Sequence, residues 1–96
     1  MAALSKAEIH EKLKELQGWS HMGKSLQKKY SLKSFMPAID LVNKIAAVAE
    51  AEQHHPDITI NYNVLAISLS THSEGGVTEK DFELARKIDQ LASERS

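Results

Sequence analysis

The 96-residue chain has no cysteine. That excludes disulfides, thiolate metal sites and thiol nucleophiles. No apolar run approaches the ~20 residues that a membrane-spanning helix needs. Met1-Ala2-Ala3-Leu4 passes straight into Ser5-Lys6-Ala7-Glu8, with no apolar signal-peptide core. These absences make the cytoplasm the expected compartment. An excess of charge of one sign is also missing: the net charge of -1 lacks the basic surplus of a DNA- or RNA-binding domain. There is no Gly-x-Gly-x-x-Gly and no P-loop to cradle a phosphate. No His-x-x-x-His or His-Glu-x-x-His spacing supports a metal site. Repeats, linkers and low-complexity segments are absent as well.

What is present reads as one globular domain over residues 1–96. Hydrophobic residues make up 42% of the chain and charged residues 26%, ordinary values for a folded protein. A domain of this size buries only about 60–65% of its unfolded surface, so assembly into oligomers is an expected source of further stability.

Periodicity orders the elements. Ser5-x-x-Glu8 fits a capping box, and Ile9, Leu13 and Leu16 follow at helical spacing, so a helix is expected over 5–17 with Gly18 as its stop. Trp19–Met22 and Ser25–Leu32 read as a hairpin around Gly23, with Leu26, Tyr30 and Leu32 facing inward. Ser34 opens a second helix that tolerates Pro37 in its first turn and runs to about Glu52, before Pro56. Its expected apolar stripe is Phe35, Ile39, Val42, Ala46 and Ala49, with Ile45 and Val48 beside it.

Ile58, Ile60 and Tyr62 alternate with polar residues, as do Leu65, Ile67 and Leu69. Two strands joined around Asn63-Val64 are expected, with Tyr62 opposite Leu65, so that paired residue numbers total 127. That register sets His55 opposite His72 at the open end of the hairpin. Thr78 caps a third helix whose inner face carries Phe82, Ala85, Ile88 and Leu91, with Asp81 in the usual capping-box position. The expected fold is α+β: an α-β-β-α-β-β-α order, with three helices on one face of a four-stranded antiparallel sheet.

The chemistry concentrates in Glu50-Ala51-Glu52-Gln53-His54-His55-Pro56 and Ser70-Thr71-His72. Imidazole titrates near neutral pH, so His54, His55 and His72 can act as general acids or bases. Converging on one pocket, they could take one proton and deliver another, which is what eliminating water requires. Glu50 could hold a polar substrate edge, and Asp81 could fix an imidazole tautomer or accept from a substrate N–H.

Plainer readings stand beside these. His54 and His55 can be a cation cluster at a helix C-terminus. Asp81 can be a cap, Glu50 and Glu52 solvated carboxylates, Trp19 a core or rim residue, and His10 and His21 surface residues. Ser70, His72 and Asp81 satisfy triad arithmetic without a nucleophile elbow. A metal-binding protein using the His, Asp and Glu set is a further alternative.

Glu50-x-x-x-His54-His55-Pro56-x-Ile58, Tyr62-Asn63, Leu69-Ser70-Thr71-His72 and Gly76-x-Thr78-x-x-Asp81 together resemble the pterin-4a-carbinolamine dehydratase family. The likeness spans nearly the whole chain and includes Gly18-Trp19. It implies the same α+β fold and dehydration of 4a-hydroxytetrahydropterin to quinonoid dihydropterin, in support of pterin-dependent aromatic amino-acid hydroxylases. It also implies no metal or organic cofactor and a homodimer or homotetramer. By the same resemblance His54, His55 and His72 are catalytic, while Glu50, Pro56, Ser70, Thr71, Ser73, Asp81 and Trp19 bind the pterin. The Ser73-Glu74-Gly75-Gly76 loop differs in detail from that of animal relatives. Some of those relatives also serve as dimerisation partners of a transcription factor. A non-catalytic assembly module on the same scaffold is therefore the alternative function.

Overall fold

A computed structural model describes residues 3–94. Met1, Ala2, Arg95 and Ser96, at the ends of the expected domain, lie outside the described residues. The elements follow the expected order: α1 (Lys6–Leu13), β1 (Ser20–Met22), β2 (Ser25–Ser31), α2 (Phe35–Glu52), β3 (Asp57–Asn61), β4 (Val64–Leu69) and α3 (Glu79–Glu94). The strands form one antiparallel sheet in the order β1-β2-β4-β3. One core joins the inner face of this sheet (Leu26, Leu65, Ile67, Leu69) to all three helices through Ile9, Ala38, Leu41, Ile45, Phe82, Leu84, Ala85 and Ile88. The other face carries small side chains, including Thr59, Ala66 and Ser68.

The α1 capping box is complete. The Ser5 amide donates to Glu8 Oε1 at 2.8 Å and the Glu8 amide to Ser5 Oγ at 3.1 Å. These bonds to the Ser5 backbone and side chain hold the Glu8 carboxyl below its ordinary range. The helix is shorter than the expected 5–17. After Leu13 the amides of Lys14, Glu15 and Leu16 bond three residues back, to Glu11, Lys12 and Leu13. The chain tightens there while Leu13 and Leu16 keep their contact with the core. Gly18, at φ +81, then turns the chain into β1; a Cβ there would lie 3.0 Å from Lys28 Cε.

Two further expectations are corrected. The buried face of α2 is Ala38, Leu41, Ile45 and Ala49, while Phe35 is 45% exposed and Ala46 is exposed. Because α2 is apolar on more than one side, its pattern did not single out this face. The β3–β4 register totals 125, not 127: Ile60 faces Leu65, Ile58 faces Ile67, and Tyr62-Asn63 form the turn. A shift of two residues leaves every side chain on its own face, so alternation is blind to it. What decides the register lies outside the hairpin. The Leu32 amide donates to the Asn63 carbonyl at 2.8 Å, and Asn63 Nδ2 donates to the Leu32 carbonyl at 2.9 Å. Tyr62 takes a left-handed conformation (φ 54) and is 63% exposed. Consequently His55 is not opposite His72.

Candidate active site

The site is assembled from three chain segments. The first is the end of α2. Gln53 adopts a left-handed conformation (φ 54), its amide donates to the Glu50 carbonyl, and the His54 amide donates to the Ala49 carbonyl at 3.1 Å. This pair of bonds is a Schellman closure built on glutamine in place of glycine. It stops the helix and fixes His54 at the first position beyond the turn. Pro56 then keeps His55 out of helical geometry. As a result the two adjacent imidazoles separate. The His54 side chain is 11% exposed, with Nε2 2.5 Å from Asp81 Oδ1. The His55 side chain is 60% exposed, and its Nε2 lies 2.8 Å from Oε1 of a still more exposed Glu50. A surface pair of that kind adds little stability.

The second segment is the start of α3. Its cap works in both directions, as the sequence suggested: the Thr78 amide donates to Asp81 Oδ2 at 2.9 Å, and the Lys80 amide donates to Thr78 Oγ1 at 3.2 Å. Capping does not exhaust Asp81, whose side chain is fully buried. One oxygen faces His54 and the other serves the cap and Thr71. The cap reading and the imidazole-partner reading therefore both hold.

The third segment follows β4. Thr71 is buried, and its Oγ1 donates to Asp81 Oδ2 at 3.0 Å and lies 2.8 Å from Thr78 Oγ1. The Thr71 amide donates to the Gly76 carbonyl at 2.8 Å, which closes a small loop. The turn His72–Glu74 sits on that loop and ends at Gly75 (φ 72). His72 and Ser73 are exposed and Ser70 and Pro56 half-buried. The structure thus brings together His54, Asp81 and Thr71 directly, and places His72 one residue from that cluster. The arithmetic triad is overturned, because Asp81 pairs with His54 and not with His72. Among the described residues no three His, Asp or Glu side chains come together as a metal-ligand set.

Trp19 sits apart from this cluster. It is 6% exposed within the core, and its indole N–H donates to both oxygens of Asp89 at 3.1 and 3.0 Å. Asp89 lies about 12 Å along α3 from Asp81, at 1.5 Å per residue. It also accepts from Lys28 Nζ at 2.8 Å and from the Tyr30 hydroxyl. In the sequence the one signal for this cluster is an acid beside the apolar stripe of α3, next to Ile88, and nothing local marks Lys28 as its partner. Burial, reinforced by Asp89, raises the Tyr30 phenol well above its ordinary value of 10.0. The folded chain therefore keeps a proton that the unfolded chain loses above about pH 10. This contribution is intact below that pH and is lost as pH rises toward the folded value. The denaturation midpoint should fall between about pH 9 and about pH 11, and fall less in Tyr30→Phe, when followed by urea titration.

Fold and site together define a small α+β protein in which a buried aspartate holds one histidine beside a loop that carries another. The chain belongs to the family described as Pterin 4 alpha carbinolamine dehydratase, whose family model matches residues 2–91. A Sulfolobus acidocaldarius protein, named provisionally as a pterin-4-alpha-carbinolamine dehydratase, is 47% identical over 92% of this chain and 97% of its own length. A Thermomicrobium roseum protein with the same provisional name is 47% identical over 97% of this chain and 100% of its own. The crystal structure of a transcriptional coactivator/pterin dehydratase from Brucella Melitensis superposes with a TM-score of 0.91 at 35% identity, covering 94% of this chain and 98% of that one. A pterin dehydratase-like RuBisCO assembly factor of the alpha-carboxysome shares the fold, with a TM-score of 0.69 at 24% identity.

Proposed function

We propose that this protein dehydrates 4a-hydroxytetrahydrobiopterin to quinonoid dihydropterin, and so supports pterin recycling for aromatic amino-acid hydroxylation. The observation that carries the reading is the buried Asp81–His54 pair, tied through Thr71 to the loop bearing His72, in a chain of this family. In the reaction the C4a–O bond breaks, an acid protonates the departing hydroxyl to give water, and a base removes a ring N–H proton. His54 and His72 share these two tasks. Acid–base help of this kind is worth ~10²–10⁴-fold. His55, held toward Glu50 on the surface side, binds or orients the pterin, with Glu50, Pro56, Ser70 and Ser73 around it. Trp19 acts at a distance, by shaping the core from which the site projects. The protein works in the cytoplasm as a homodimer or homotetramer, without a metal or organic cofactor.

Titration with 7,8-dihydrobiopterin, a stable relative of the product, tests the location by NMR. The amide and imidazole signals of residues 50–56 and 70–73 should shift saturably, while those around Lys28 and Asp89 stay in place. Shifts confined to the Asp89 cluster or to the open sheet face would contradict this assignment.

A further inference from the structure

The cluster behind His54 contains more than an acid and an imidazole. Two buried hydroxyls, Thr71 and Thr78, stand within 2.8 Å of each other, and every proton in the cluster can be placed by elimination. The Lys80 amide can only donate, so Thr78 Oγ1 accepts from it. The Thr78 hydroxyl proton is then free for Thr71 Oγ1. Thr71 in turn gives its own proton to Asp81 Oδ2, which also accepts from the Thr78 amide. With Oδ2 served by two donors, the carboxylate cannot turn without breaking both bonds, and Oδ1 stays aimed at His54 Nε2. A carboxylate oxygen accepts, so Nε2 carries the ring proton. Among the described residues His54 Nδ1 makes no bond to the protein.

We infer that Thr71 and Thr78 are positioning residues: a one-way hydroxyl chain, Lys80 N–H to Thr78 to Thr71 to Asp81, locks His54 as the Nε2–H tautomer and leaves Nδ1 as its working nitrogen. The tautomer follows from the cluster alone; its catalytic use rests on the dehydratase reading above. The inference also reassigns Thr71. Its hydroxyl is spent on Asp81 and is not a contact for the pterin. Bonds in such a chain polarise one another, which makes the aspartate a firmer partner than a lone carboxylate on a helix end.

The test compares wild type, Thr71→Val and Thr71→Ser. Valine keeps the shape and removes the hydroxyl, whereas serine restores it. In ¹⁵N spectra of the histidine rings, wild type and Thr71→Ser should show His54 with a protonated Nε2, protected from solvent exchange, and a bare Nδ1. Thr71→Val should lose that protection. In turnover, Thr71→Val should lower kcat about 10-fold, a part of the usual acid–base contribution, with KM unchanged and Thr71→Ser close to wild type. A higher KM with kcat intact would make Thr71 a substrate contact and overturn the inference. So would a wild-type His54 protonated on Nδ1, or a Thr71→Val protein with the wild-type ring spectrum. If Thr71→Val does not fold, the wild-type tautomer and the Thr71→Ser spectrum still decide. Absence of turnover by wild type would count against the dehydratase reading alone, because the ring spectra do not depend on activity.

Discussion

Truncating Asp81 to Ala should cost about 3–5 kcal/mol, the usual penalty for removing one member of a buried, bonded charged group. For a domain near 100 residues that corresponds to a fall of roughly 15–30 °C in the thermal midpoint, and with total stabilities of about 5–15 kcal/mol the variant stands at the edge of folding. The size of the effect follows from what would be stranded. The Thr78 amide, the Thr71 hydroxyl and His54 Nε2 all lose their acceptor. None can turn to water easily, since Thr71 and Thr78 are themselves buried. The start of α3 loses its cap at the same time. Calorimetry on Asp81→Ala reads the effect. A midpoint within a few degrees of wild type would mean that Asp81 is not the anchor this structure makes it.

His72→Ala should do the opposite. His72 is exposed on the turn that follows Thr71 and contributes nothing to the core. Surface truncations away from such features usually stay within about 0.5 kcal/mol, so the thermal midpoint should barely move. Turnover should nevertheless fall about 10²-fold or more, because the proposed mechanism loses an acid or base while the buried Asp81–His54 pair stays in place. The loss should lie in kcat. Calorimetry and steady-state kinetics on the same sample separate the two effects. A destabilised variant would contradict the placement of His72 on an exposed turn, and a folded one with full activity would remove His72 from the proposed mechanism.

How far the sequence reveals this protein depends on the range of the interaction involved. Local rules were legible. Ser5-x-x-Glu8 announced α1, alternation marked three strands and the Gly23 hairpin the fourth, and Pro56 set the limit of α2. The register of β3 and β4 was not legible, since alternation survives a shift of two residues and the deciding bonds join Asn63 to Leu32, 31 residues away. The inner face of α2 was hidden by its apolar residues on several sides. His54 and Asp81 stood out by residue type. That they pair with each other across 27 positions, while His55 turns out to Glu50, depends on the left-handed Gln53. A glutamine there gives no signal of the kind a glycine would. The Asp89 cluster escaped for the same reason, since its donors lie 59 to 70 positions away.

Decay of freshly generated 4a-hydroxytetrahydropterin, followed by ultraviolet absorbance, decides whether this protein is a dehydratase. Wild type, His54→Ala and a protein-free control are run side by side. Wild type should accelerate the decay, and a folded His54→Ala protein should lose about 10²-fold or more of that acceleration. Decay in the presence of folded wild type no faster than in buffer would contradict the dehydratase reading. Full acceleration by His54→Ala would contradict the assignment of the buried Asp81–His54 pair as its active centre.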